Sequence, residues 1–150
     1  MKLRIFILFL LTAVMSSCST GLGTTQNPVF SGTVLINTTA PEGSGVANPP
    51  VFIWQSTGLS YEVVGVFVNP ISVQGKQIQN INDCIAIWDT GMAGSDGNVS
   101  FTLFKQVVNG NLTSSSASLS SGHTYYWAVW AYDSQLDLTN SSAQVTFVAP

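Results

Sequence analysis

Few side chains in this sequence can do chemistry: two cysteines, one histidine and seven carboxylates in 150 residues. The carboxylates are Glu42, Glu62, Asp83, Asp89, Asp96, Asp133 and Asp137. Glycoside hydrolysis needs two facing carboxyl groups about 5–10 Å apart, and these seven are scattered without a pairing. His123 could serve a Ser-His-Asp relay, but no G-x-S-x-G turn presents a nucleophile. It reads as an exposed turn histidine. Asp133 and Asp137, with Asn140 nearby, could offer loop oxygens to Ca²⁺; a solvated loop is the simpler reading. Asp96-Gly97-Asn98 reads as turn chemistry. Zinc needs spaced ligands, and His123 and Cys84 have no spaced partners. Cys84 reads as a small buried hydrophobe on a strand; its alternative is a disulfide with Cys18. No catalytic residue, metal site or cofactor is expected from this inventory.

Cys18 has a different context. Lys2 and Arg4 open the chain with positive charge, and Ile5 to Val14 are apolar apart from Thr12. Met15, Ser16, Ser17 and Cys18 follow. A basic start, an apolar run of about 7–15 residues and small residues after it describe a secretory leader. The run is shorter than the roughly 20 residues that span a bilayer. The end of this leader resembles the lipobox of bacterial lipoproteins, in which a Leu-like residue and two small residues precede an obligatory Cys. Met15 stands where Leu is usual. The resemblance implies cleavage before Cys18 and diacylglycerol on its thiol. One acyl chain anchors only marginally, whereas two or three hold firmly. Ser19 in place of Asp favours the outer membrane or cell surface. The expected partner is therefore a membrane, reached through the lipid.

The elements that position the rest must form with little charge. Only 7% of residues are charged. Loss of Lys2 and Arg4 with the leader takes the formal charge from −3 to −5 and leaves Lys76 and Lys105 as the bases. Nucleic-acid binding needs clustered Lys and Arg, so no nucleic-acid partner is expected. Residues 1–17 are assigned to the leader, 18–27 to a flexible Gly/Ser/Thr tether and 28–150 to one domain, the size of which suffices for a core without metal or disulfide.

Within that domain, short runs of Val, Ile, Phe, Tyr and Trp alternate with Gly, Pro, Asn and Ser clusters, which is the pattern of a sandwich or barrel. Strands are expected at Val29–Asn37, Pro50–Gln55, Ser60–Asn69, Cys84–Asp89, Val99–Val108, Ser116–Leu119, Thr124–Tyr132 and Ala143–Val148. Pro49–Pro50, Gly91 to Gly97 and Asn109 to Asn111 mark turns, and Pro70 to Asp83 reads as a polar loop with an irregular edge strand. Asn37, Asn98, Asn111 and Asn140 begin N-x-S/T sequons, which read as chance in a Ser/Thr-rich bacterial chain.

Leu119, Gly122, Tyr125, Val129 and Ala131 are spaced like the E–F corner and F strand of fibronectin type III domains. Pro49 to Trp54 resembles that family's B strand, Tyr61 to Val64 the start of C, Ile87 to Thr90 strand C′ and Ala143 to Val148 strand G. The resemblance covers about residues 28–149. It implies an all-β, two-sheet antiparallel β-sandwich of the fibronectin type III or immunoglobulin-like kind. It also implies a tyrosine corner at Leu119, Gly122 and Tyr125, in which the Tyr hydroxyl bonds nearby backbone.

Alternation on the F strand directs Tyr125, Trp127, Val129 and Ala131 inward and Tyr126, Trp130 and Tyr132 outward. On the C strand, Tyr61, Val63 and Phe67 are expected inward and Glu62, Val64, Val66 and Val68 outward. Val64, Val66, Tyr126, Trp130 and Tyr132 would then form an apolar patch, a candidate binding surface for a protein or a glycan. The alternative is that another segment covers it. The reading is a non-enzymatic envelope or cell-surface lipoprotein acting as an interaction or adhesion module. Carbohydrate binding through exposed aromatics is the first alternative, and a small secreted hydrolase the second.

Overall fold

Runs of β-branched and aromatic residues broken by Gly, Pro and Asn favour extended backbone, and this chain takes that course. The structure, a computed structural model, describes residues 35–150 apart from 59, 76, 94, 95, 134 and 135 and the side chains of 90–93. The leader 1–17, Cys18, the tether and the first part of the strand expected at Val29–Asn37 lie outside the described residues. The strands are β1 (Leu35–Ala40), β2 (Val51–Thr57), β3 (Ser60–Phe67), β4 (Val73–Gln74), β5 (Gln77–Ile78), β6 (Cys84–Ala93), β7 (Gly97–Ser100), β8 (Lys105–Val108), β9 (Asn111–Ser116), β10 (Thr124–Tyr132), β11 (Leu138–Ser141) and β12 (Val145–Val148).

These strands build an antiparallel β-sandwich. One sheet has the order β1-β2-β7. The other, seven-stranded, runs β11-β10-β3-β6-β8-β9, with β12 also on β10. β4 and β5 form a small hairpin of their own. The expected single strand Val99–Val108 is two strands in two sheets. Ser100 ends β7, its Oγ accepts the Thr102 N–H at 3.4 Å, and a 3₁₀ turn at Phe101–Leu103 carries the chain across. The strand expected at Ser116–Leu119 lies earlier, at β9. A two-residue turn at Asn109 and Gly110, φ 50° and 74°, joins it to β8. Asn-Gly suits a turn that needs left-handed φ twice. Asp96-Gly97-Asn98 is no turn either: Gly97 and Asn98 already belong to β7.

The inter-sheet core is aromatic. Phe52 is fully buried and meets Phe104 at 4.8 Å between ring centroids, Trp127 edge-on at 5.0 Å and Phe147 edge-on at 5.7 Å. Burying such a side chain contributes about 1.5–3 kcal/mol, and each well-oriented ring pair adds about 0.5–1.5 kcal/mol. Trp127 donates its indole N–H to Pro41 O at 2.9 Å, which holds the end of β1 against β10.

Trp54 of β2 stands directly opposite Gly97 of β7 in the ladder. Its ring lies flat over Gly97, so closely that a Cβ there would meet the indole Cζ2 at 1.9 Å. Only glycine fits, because the opposing atoms are a rigid ring in a packed interior. Gly97→Ala is therefore expected to destabilise the fold by about 1–3 kcal/mol or more. Urea unfolding followed by Trp fluorescence measures it, and an unchanged midpoint would contradict this packing.

Candidate functional site

Strand pairing settles which way the aromatic stripe faces. Residues directly opposite in an antiparallel ladder share a face of the sheet. Val64 pairs with Val129 and Val66 with Trp127. All four belong to the inter-sheet core. On β3 it is therefore Glu62, Val64 and Val66 that point inward, and Tyr61, Val63 and Phe67 that line the outer face with Tyr126, Trp130 and Tyr132. The expected facing of β3 is reversed, while Tyr125, Trp127 and Val129 of β10 face inward as expected.

The candidate binding surface is consequently not a surface. Val64 and Val66 are fully buried in the core, Trp130 is 2% exposed and Tyr132 3% exposed, and Tyr126 is half-buried. The outer face carries a second apolar cluster. Ile71, Ile78 and Ile81 cover it from the loop between β3 and β6, and Leu136 and Leu138 from the segment after β10. A glycan or protein cannot stack on these rings without displacing that cover. Burial also pushes the Tyr132 hydroxyl pKa upward.

The turn before β10 is closed by a tyrosine hydroxyl. Leu119 packs against the core, Gly122 adopts φ 75°, and the Tyr125 hydroxyl accepts the Ser120 N–H at 2.9 Å. The Tyr125 ring lies 5.8 Å from Phe147. This hydroxyl satisfies a backbone donor that the turn would otherwise leave open.

Glu62 is the polar residue that sequence reasoning misplaced. It is fully buried between the sheets. Trp54 donates its indole N–H to Glu62 Oε2 at 2.7 Å, and Ser60 Oγ donates to Oε1 at 3.3 Å. Desolvating a carboxylate costs several kcal/mol unless hydrogen bonds replace its water, and these donors do so. Parity ties Glu62 to the face of Val64 and Val66 without saying which face that is; the register of β3 with β10 decides it. With no solvent access, Glu62 orients Trp54 and reaches no substrate in this state.

The other reactive groups are apart. His123 is exposed in the turn, where its backbone N–H donates to Ser120 O and its carbonyl accepts from Ala149. Asp133 Oδ1 accepts the Asp137 N–H at 2.8 Å, which makes it a turn residue. Among the described residues no three His, Cys, Asp or Glu side chains are placed to hold a metal. Cys84 is a free thiol, 2% exposed, between the β3–β6 pair and the covering loop.

No family model matches the chain, and no curated protein matches it. The site must therefore be read from its own geometry. That geometry is two closed apolar layers, with one buried carboxylate in the inner layer and one buried thiol in the outer.

Two tests follow from these buried groups. Glu62→Leu leaves the Trp54 donor unpaired and is expected to lose about 1–3 kcal/mol, more than Glu62→Gln, which keeps an acceptor oxygen. Equal stability of Glu62→Leu and the parent in urea unfolding would refute the role given to this carboxylate. Burial pushes the Cys84 thiol up to about 12, so the folded chain should resist thiol reagents at pH 8 and react on unfolding. The folded state holds this proton more tightly than the unfolded state. Its stabilising effect is therefore complete below the unfolded thiol's pKa, 9.0, and falls as pH rises from there towards about 12. A denaturation series across that alkaline range checks the sign.

Proposed function

We propose that this chain is a bacterial lipoprotein that carries a fibronectin type III-like domain on a lipid-modified Cys18, and that the domain acts as a non-enzymatic interaction or adhesion module in the envelope. The observation that carries this reading is the run Met15-Ser16-Ser17-Cys18 directly after a basic, then apolar, leader. Such a leader exports the chain, and the thiol supplies the anchor.

The kinship with fibronectin type III domains draws support from strand order. β1-β2-β7 corresponds to strands A, B and E of that family, and β10-β3-β6 to F, C and C′. β12 follows β10 as strand G follows F. The hairpin β8–β9 is an addition beyond C′. Among the described residues no helix is long and apolar enough to cross a membrane, so in this reading attachment rests on the lipid. The segment from Cys18 to Leu35 reaches at most ~60 Å when extended, which keeps the domain close to the leaflet.

With both faces of the seven-stranded sheet closed, such a module offers its loops, its strand edges and the outer face of β1-β2-β7 to a partner. The aromatic platform for carbohydrate loses its support, because Trp130 and Tyr132 are buried.

Metabolic labelling tests the anchor. Cells given an alkyne analogue of palmitate should label the parent protein, which should sediment with membranes. Cys18→Ser should lose both the label and the sedimentation. An unlabelled parent protein would reduce the reading to plain secretion.

A further inference from the structure

The hairpin of β8 and β9 turns through Asn109 and Gly110, which join Val108 to its partner Asn111. Both turn residues have left-handed φ, 50° and 74°. Asparagine is one of the few residues besides glycine that take this conformation. Asn109 is also the one asparagine of the chain that glycine follows. That order suits the turn, and it brings together the parts of a reaction. The side-chain carbon of an asparagine and the next backbone nitrogen can close a small ring, and glycine has no side chain to shield that nitrogen. Asn109 is exposed, so water reaches the tip.

Two contacts hold the tip. Asn111 Nδ2 donates to Asn109 O at 3.1 Å. That carbonyl shares a rigid peptide plane with the Gly110 nitrogen. The bond therefore resists the rotation that would turn this nitrogen towards the Asn109 side chain. Asn82 Oδ1 stands over Gly110, where a Cβ would lie 3.2 Å from it. The hairpin's own attachment is short, since β8 pairs with β6 through Ala86↔Gln106 and Ile87↔Lys105. A segment on so short a ladder belongs to the low end of local stability.

We propose that Asn109–Gly110 is a self-modification site, at which opening of the hairpin admits deamidation and the product prevents the same closure. The Gly110 nitrogen attacks Asn109 Cγ. The N–Cγ bond forms, the Cγ–Nδ2 bond breaks, and ammonia leaves with the proton from the Gly110 nitrogen. Water then opens the cyclic imide. Attack at Cγ gives aspartate in the ordinary linkage. Attack at the main-chain carbonyl carbon gives isoaspartate, which carries one extra methylene in the main chain. An amide and one water become a carboxylic acid and ammonia, and nothing is oxidised or reduced. A longer main chain does not fit a two-residue turn between paired strands. The isoaspartate form should lose the Val108↔Asn111 and Val107↔Leu112 pairs. With them goes the seat of Val107, 4% exposed, in the outer apolar layer. The reaction needs neither anchor nor partner, so its failure would leave the envelope reading untouched.

The test holds the full chain in mildly alkaline buffer made with H₂¹⁸O and maps its peptides by mass spectrometry. The peptide with residue 109 should exchange its side-chain nitrogen for one ¹⁸O and separate into aspartate and isoaspartate products. Peptides with the other asparagines should stay unlabelled over the same period. Asn111→Ala removes the bond to Asn109 O and should speed labelling about two- to tenfold, the range that one neutral hydrogen bond allows. In hydrogen exchange the isoaspartate fraction should lose protection at 106–112, while β3 and β10 keep theirs and report an intact fold. Asn109→Asp adds the charge without the methylene and should keep the hairpin's protection. An unlabelled residue 109, an Asn111→Ala rate equal to the parent's, or an isoaspartate fraction with the parent's hairpin protection would overturn the proposal.

Discussion

The pairing of β3 with β10 is the constraint on which the rest depends. Both strands are apolar on both faces: Val64, Val66, Trp127 and Val129 on one side, Val63, Phe67, Ala128 and Trp130 on the other. A sheet with one wet face needs one cover; this one needs two. The β1-β2-β7 sheet supplies the first. The long β3–β6 connection, with its β4–β5 hairpin, supplies the second: it folds back with three isoleucines, and the segment after β10 adds Leu136 and Leu138. What looks like a polar linker is thus structural.

Close packing inside the first layer leaves room for one polar device. Trp54 reaches from β2 to Glu62 on β3, and the shape of its ring fixes glycine at position 97 on β7. The indole tilts against Trp88 of β6 at 5.9 Å. Strands of both sheets therefore meet at one side chain. Removing the carboxylate would leave the Trp54 donor buried and open, which is where its contribution to stability lies. The carboxylate also imposes direction, because the donor from Trp54 has one low-energy target. The inner layer is satisfied in its polar bonding and the outer one is not, as the Trp130 indole shows.

Legibility in the sequence followed locality. Thr124–Tyr132 was readable as a strand because nine residues run without a breaker, and the Tyr125 corner because its parts lie within a few residues of one another. The facing of β3 was not readable, since alternation carries no information where both faces are apolar; only the register with β10 decides it. The charge on Glu62 argued for solvent, and its true partner lies on another strand. The break at Phe101–Leu103 was hidden because apolar residues continue through it while the chain changes sheets. β11 was missed because Leu138–Ser141 has one large apolar residue, and the covering isoleucines because polar residues separate them without a period. The leader was legible by composition, and Cys18 lies beyond the described residues.

A surface with so few charges must guard its strand edges by shape. Exposed edges commonly carry Lys or Pro to block pairing with another chain. β9 has neither. Instead its register with β8 shifts between Val107↔Leu112 and Lys105↔Ser116, so several residues of β9 face one of β8. Within that bulge the Ser115 N–H turns to the Thr113 hydroxyl at 3.3 Å rather than outward. On the far side Gly43 runs parallel to β12, its N–H donating to Thr146 O at 2.9 Å and its carbonyl accepting from Val148 at 2.8 Å. One edge is bent and the other is paired. Both devices use backbone geometry and hydroxyl groups, which is what a Ser/Thr-rich chain can provide.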